Sequence, residues 1–263
     1  MVFSRQTVAY IGTCAHLEKS YSGGDVARTK LERSEEEVRE FPCYSIEEVA
    51  AYIGVPKRTL RNWTTGYYYR TTAHGKRKAP PIIPPADPKH NLLSFYNLAE
   101  AQVLAATRER NIPTAKVRRA VEYMREQFGE DRPLLHCIFE TAGQHLFLAS
   151  IAGRKLKHPL DVSRYGQFAF RSVLKKYLSR IERDPNGNPT RIFPLKAGQG
   201  RRTKKRIVIH PFLSAGKPSL SQSGIMVEVI WRRKKDGESI KNLAKDFRLR
   251  PSEIKAAIQY YAA

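Results

Sequence analysis

The chain has 263 residues, 41% of them hydrophobic with 13 Tyr and 11 Phe, enough apolar surface for one large or two to three small cores and too much for a disordered polymer. Its 47 Lys and Arg against 25 Asp and Glu give a formal net charge of +22, which calls for an anionic partner: nucleic acid, an acidic protein or an anionic membrane surface would each serve. Cys14, Cys43 and Cys137 are far apart, odd in number and outside any CxxC pair, and no apolar run reaches 18 residues, so a disulfide framework, a zinc site and a membrane-spanning helix are all set aside in favour of a cytoplasmic protein with reduced thiols.

Residues 1–40 read as an N-terminal extension. Its apolar stretch Val8 to Ala15 runs into His16, Glu18 and Lys19, too short and too soon charged for a secretory signal. The acidic run Glu35, Glu36 and Glu37, with Glu32 and Glu40 beside it, reads as a solvated helix or arm in preference to a segment folded back on a basic face.

Residues 41–130 form the first expected domain. Ile46, Val49, Ala50, Ile53, Val55, Leu60 and Trp63 recur at helical spacing. Ser45 can cap a first helix, with Glu48 three residues on completing a capping box. Gly54 ends that helix and Pro56 opens the next, which predicts two short helices about a tight turn. From Gly66 to Leu93 periodicity fades and Pro80, Pro81, Pro84, Pro85 and Pro88 accumulate, the pattern of a hairpin with a proline-stiffened arm. Two further helices are expected over Leu98–Arg110 and Thr114–Phe128, broken at Asn111-Ile112-Pro113.

Residues 131–200 read as a central α/β segment and a candidate dimerisation region. A hairpin is expected over Leu134–Ser150 around Gly143-Gln144, then a long amphipathic helix over Asp161–Arg183, stopped by Asp184-Pro185-Asn186-Gly187, then a strand over Arg191–Leu195. The basic stretch Gly198–Arg206 has linker composition, placing a boundary near residue 200. Residues 201–263 would add a strand at Ile207–Ile209 and helices over Met226–Lys235, Ser239–Asp246 and Pro251–Tyr261; Ser239-Ile240-Lys241-Asn242-Leu243-Ala244 resembles the first helix of a second helix-turn-helix. The fold class is α+β and mostly helical: an N-terminal winged helix-turn-helix, a central mixed segment and a small C-terminal three-helix domain.

In the first domain Val49, Ala50, Val55 and Leu60 would pack between the two helices. Lys57, Arg58, Thr59, Arg61 and Asn62 are left facing outward, side chains suited to a phosphate-lined groove. In the hairpin, Tyr68, Arg70, Lys76, Arg77 and Lys78 interleave aromatics with cations, a mixture that can lie along a nucleic-acid backbone or in a minor groove. Nothing suggests catalysis, a metal or a cofactor. The seven His lack HExxH or HxH spacing, and Gly216-Lys217-Pro218-Ser219 lacks the upstream glycine of a phosphate loop and has a proline where a helix should start.

The segment from Tyr44 to Trp63, and Thr59-Leu60-Arg61 in particular, resembles the reader of MerR-type winged-helix regulators. In that family the hairpin is a wing, and the likeness continues through Leu93–Glu100 and Arg108–Ala120. It departs where Asp131-Arg132-Pro133 interrupts the long dimerising helix that such regulators usually carry, which argues against metal or drug sensing. The last 60 residues resemble a short domain of formally unknown function recurring in bacterial antitoxins, through Ile209-His210-Pro211, Ala215-Gly216-Lys217-Pro218-Ser219 and Asp236-Gly237-Glu238-Ser239-Ile240. Together, over about residues 42–262, the chain resembles VapB-type antitoxins. The resemblance implies double-stranded operator DNA bound for autorepression, a PIN-fold ribonuclease toxin neutralised by protein binding, and a homodimer or toxin–antitoxin hetero-oligomer. Arg232, Arg233, Lys234 and Lys235 at a helix end would either enter the acidic toxin groove or form a solvated basic end. A transcriptional regulator or RNA-binding protein with no toxin partner is the other reading.

Overall fold

In a computed structural model, residues 33–71, 75–109, 111–142, 145–151, 154–161, 167–168, 179–194 and 205–262 are described. The Val8–Ala15 stretch and all but the last two residues of the basic stretch 198–206 lie outside them. Helix α1, Glu35–Glu40, starts on a capping box between Ser34 and Glu37. Glu35 and Glu37 stay solvated. Two of the acids also reach across the fold: Glu36, exposed, accepts from the Tyr96 hydroxyl at 2.8 Å and Glu40 from the Arg132 guanidinium at 2.7 Å. Arg39 is buried, donating to Glu35 at 2.6 Å and Asp184 at 3.2 Å. The run Glu35–Glu37 is therefore the exposed helix expected, and it is its flank that docks: Arg39 is buried and Glu40 meets Arg132, because buried or half-buried guanidinium groups need carboxylate partners.

Helices α2, Ile46–Ile53, and α3, Lys57–Thr65, follow, and then an antiparallel hairpin of β1, Tyr67–Thr71, and β2, Gly75–Ala79. Helix α4 spans Phe95–Glu109 and α5 spans Thr114–Phe128. Helix α4 begins three residues before the expected Leu98. Ser94 and Asn97 cap each other there, the Ser94 Oγ accepting from Asn97 N at 3.2 Å and the Asn97 Oδ1 from Ser94 N at 3.1 Å. Every residue from Phe95 to Thr107 is buried, polar Asn97, Glu100 and Gln102 included, so α4 has no solvent-exposed face to mark its period. Its side chains join Ile53, Leu60, Ile82, Ile83, Met124 and Leu134 in the main core.

After α6, Pro133–His136, the strands β3, Cys137–Ala142, β4, His145–Ile151, β5, Arg154–Asp161, and β6, Gln167–Phe168, form an antiparallel sheet in chain order. The hairpin expected around Gly143-Gln144 is thus β3–β4. Where the expected helix over Asp161–Arg183 is described, the residues are extended or in a turn: Asp161 closes β5, Gln167–Phe168 is a strand, and β7, Ile181–Arg183, pairs with β8, Pro189–Ile192. Residues 162–166 and 169–178 of that span lie outside the described residues. The supposed helix stop is a hairpin turn, in which Asp184 Oδ1 accepts from Asn186 N at 3.0 Å and Asn188 N at 2.9 Å while Gly187 adopts φ 87°. Asp-Pro-Asn-Gly supplies turn chemistry equally well to either element, and the strand after it starts two residues before the expected Arg191.

Strands β9, Ile207–Val208, and β10, Ser219–Leu220, pair antiparallel ahead of helices α7, Val227–Lys235, α8, Ile240–Asp246, and α9, Pro251–Ala262. Leu220, Val227, Ile230, Leu243, Ile254, Ala257 and Tyr260 form a second core. Ile209 meanwhile bridges to Ile192 and belongs to the first core. Two buried tyrosines tie the C-terminal residues to the N-terminal ones: Tyr44, just before α2, donates to Gly216 O at 3.0 Å, and Tyr260 of α9 to Tyr52 O of α2 at 2.9 Å. Gly216 has φ 74°, and a Cβ there would overlap the Tyr44 hydroxyl. No described helix is long and apolar enough to cross a membrane.

Candidate nucleic-acid interface

The site is assembled from local sequence chemistry. Ser45 Oγ accepts from Glu48 N at 3.2 Å and Glu48 Oε2 from Ser45 N at 2.9 Å, so two of the unsatisfied donors at the start of α2 are paired reciprocally. Gly54 then takes the left-handed conformation with φ 68°, and Val55 N returns to Ala50 O at 3.1 Å. Pro56 caps α3 with φ −58°, one position earlier than a proline inside the helix and equally free of a wasted N–H.

Along α3 the inward residues are Leu60 and Trp63, both buried. Lys57, Arg58 and Arg61 are exposed and Thr59 and Asn62 half-buried, so the five side chains predicted to face outward share the helix face away from the core. Lys57 is ion-paired to Glu47, whose carboxyl it holds below the ordinary carboxylate range. Both partners are about half exposed, at 53% and 52%, so the pair contributes little to stability. Among the described residues no ion pair engages Arg58 or Arg61.

The wing grows directly out of α3. Gly66, with φ 75°, has the Ala79 carbonyl where a Cβ would stand, so the helix end and the base of the hairpin touch. Tyr68 lies opposite Lys78 and Arg70 opposite Lys76. Paired residues share a face of an antiparallel ladder, so these four form one side of the wing. Arg77, paired with Tyr69, stands on the other side, so the wing does not gather all five predicted residues on one surface. Lys76 Nζ sits 4.6 Å from the centre of the Tyr68 ring. Tyr68, at 63% exposed, heads the trio Tyr67, Tyr68 and Tyr69, which are the exposed large apolar side chains among the described residues. Two cations placed directly opposite on a ladder destabilise it, an arrangement that a polyanion reverses.

Helix α5 holds the wing root through residues that the sequence reading passed over. Buried Arg118 donates to Pro80 O and stacks its guanidinium 5.4 Å from the Tyr67 ring centre; Arg125 donates to Ile82 O at 3.1 Å. The two arginines are two helical turns apart and so share a face, a spacing that was visible but had no assigned partner. Ile82 N and Ile83 N both return to Trp63 O, at 2.8 and 3.0 Å, which fastens the arm after the wing to the end of α3.

The basic end of α7 is built differently. Arg233 donates to Glu238 at 2.5 Å and Asp246 at 2.6 Å, and those carboxylates push its guanidinium well above its ordinary value. Lys234 donates to Glu238 O at 3.1 Å and Arg232 to Glu228 at 2.6 Å, while Lys235 is exposed. Among the described residues no group of three or more His, Cys, Asp or Glu is placed to hold a metal ion.

Comparison with known proteins places these features in context. Residues 42–121 match the family described as "Putative DNA-binding HTH domain", and residues 207–261 match the family described as "Protein of unknown function (DUF433)". A Mycobacterium tuberculosis protein named "Putative antitoxin VapB45" is 25% identical over 231 residues, covering 84% of this chain and 95% of that protein. A second from the same organism, "Uncharacterized protein Rv2308", is 26% identical over 223 residues, covering 82% of this chain and 89% of its own length. The crystal structure of Rv2018 from Mycobacterium tuberculosis shares the fold with a TM-score of 0.54 at 18% identity, over 83% of this chain and 97% of that one. Along most of its length the chain is thus similar to a VapB-type antitoxin, joining an N-terminal helix-turn-helix domain to a C-terminal DUF433 domain.

Proposed function

We propose that the chain is the antitoxin of a type II toxin–antitoxin pair, acting in the cytoplasm, that binds operator DNA to repress its own expression and neutralises a PIN-fold ribonuclease by direct binding. The observation that carries the DNA half is the surface made by α3 and the wing. Arg58, Arg61, Arg70 and Lys78 face solvent there without an ion pair from the described residues, and Arg70 stands against Lys76. In this reading Lys57, Arg58, Thr59, Arg61 and Asn62 enter the major groove, while Tyr68, Arg70, Lys76, Arg77 and Lys78 follow the adjacent backbone or minor groove. A homodimer, or a hetero-oligomer with toxin, would present paired readers to paired half-sites.

For the toxin half, a PIN nuclease gathers carboxylates around Mg²⁺, which gives an acidic groove. Arg232 and Lys235 at the end of α7 suit that groove. Arg233 and Lys234 would instead hold the helix end in shape through Glu238 and Asp246. Co-expression with the neighbouring reading frame tests the pairing: co-purification and growth rescue are expected, with rescue lost in an Arg232→Glu, Lys235→Glu double variant. A chain that binds its upstream duplex but captures no neighbouring product is a regulator without a toxin, and one that binds RNA in preference to duplex DNA is an RNA-binding protein.

A further inference from the structure

Residues 239–258 reproduce the N-terminal reader position by position, without a gap. Ser239 caps α8 as Ser45 caps α2, its Oγ accepting from Asn242 N at 3.1 Å where Ser45 accepts from Glu48 N at 3.2 Å. Val49 and Ala50 correspond to Leu243 and Ala244, all buried. The turn is the same turn. Leu249 N bonds Ala244 O at 2.9 Å as Val55 N bonds Ala50 O at 3.1 Å. Gly54, with φ 68°, corresponds to Arg248, with φ 54°. Glycine adopts that conformation without strain and arginine does not, so the turn is kept at a cost with a cation at its apex. In the second helix Leu60 corresponds to buried Ile254, and the exposed residues Lys57, Arg58 and Arg61 correspond to exposed Pro251, Ser252 and Lys255, with Gln259 exposed one turn on.

We infer that α8 and α9 are a second duplex-DNA reader, with Lys255 and Gln259 facing the groove and the cations at the start of α9 on the backbone. The fit is one of shape and of charge. Lys205, Arg206, Ser221, Gln222 and Ser252 border a cavity of about 250 Å³ beside the first turn of α9. Arg206 is held there by its bond to Ser252 O at 2.6 Å and Arg250 by its bond to Gln222 at 3.2 Å. Two carboxylates lie on that side: Glu253 is buried and accepts from Arg250 N at 2.9 Å, and Glu182 is ion-paired to Lys205 at 3.5 Å, which leaves Arg206 and Arg250 as the cations held without Glu182. The Tyr260–Tyr52 hydrogen bond ties this unit to α2, so a single chain carries two readers in fixed relation, the arrangement that helix-turn-helix proteins ordinarily obtain by dimerising. The inference goes beyond the DNA reading of α3 and the wing but uses that reading for its probe.

The test uses the full chain and a labelled duplex from upstream of its own reading frame, chosen as the stretch the full chain protects from nuclease. Lys255→Glu is expected to weaken binding about tenfold or more. Lys235→Glu, the same charge change at the end of α7, is expected to stay within about twofold. A p-benzoylphenylalanine photo-crosslinker at Gln259 should join the duplex, and one at Lys235 should not, a readout that holds even if Lys255→Glu lowers the melting temperature. Equal affinities for Lys255→Glu and Lys235→Glu, with no duplex crosslink or an RNA crosslink alone from Gln259, overturn the second reader. If Arg61→Glu then still abolishes binding, the N-terminal reader stands without it; if Arg61→Glu is also inert, or no stretch is protected, both readings fall.

Discussion

At the N-terminal reader, Arg58, Arg61 and Arg70 are exposed with no described carboxylate bound to them; at the end of α7, Arg233 is clamped between Glu238 and Asp246 and its neighbour Lys234 is bonded to a backbone carbonyl. Both are short runs of cations on helices of similar length. In the first the charge faces outward, available to a polyanion; in the second much of it joins α7 to α8. A basic run is therefore not an interface until its carboxylates have been located. The difference also lies in the backbone around it: α3 is followed at once by a wing that adds cations, whereas α7 is followed by Asp236, Glu238 and Asp246.

Four substitutions break or sharpen this contrast, in decreasing order of effect. Leu60→Ala, on the inward face of α3 where Leu60 is fully buried, should lower unfolding free energy by about 2–5 kcal/mol in chemical denaturation. Arg61→Ala, one residue on and exposed, should leave the melting temperature unchanged while costing about 1–3 kcal/mol of operator binding in a titration. A variant that melts early would show that Arg61 faces the core. Arg233→Ala reverses the pattern: it should lower the melting temperature slightly, since its two ion pairs are partly exposed, and leave DNA affinity within error. The smallest effect is expected of Glu47→Gln, which releases Lys57 from its ion pair and should strengthen DNA binding by about twofold at low salt, the scale of an exposed pair. Weaker binding in Glu47→Gln would mean that Glu47 positions Lys57 on the DNA.

What was legible in the sequence follows the range of the interactions. The reader could be placed because its signals are local: Ser45 and Glu48 cap α2, Gly54 turns the chain, and Leu60 and Trp63 repeat at helical spacing. The helices of the C-terminal unit were legible for the same reason, with Ser239 and Pro251 at their starts. The two ends of the span 161–183 were misread because alternating and helical periods were not separable there, and Asp184-Pro185-Asn186-Gly187 closes a hairpin with the same chemistry that stops a helix. The supports of the wing and of α1 were hidden for another reason. Arg118 meets Pro80, and Arg132 meets Glu40, across long stretches of chain, and a lone arginine on a helix gives no sign of which distant carbonyl or carboxylate it will meet. Tyr44 and Gly216 are likewise uninformative until the fold brings a hydroxyl to a glycine that has no room for a side chain.

The central claim is that α3 and the wing bind duplex DNA through phosphates and base edges together. It is tested most directly by titrating the full chain against its upstream duplex and a scrambled duplex at a series of salt concentrations. With about six phosphates neutralised, log affinity should fall against log salt with a slope of about −5, at about 0.9 per contact. The upstream duplex should keep its advantage at every salt concentration, because base contacts release no counterions. A flat salt response, or equal affinity for the two duplexes, would contradict the account.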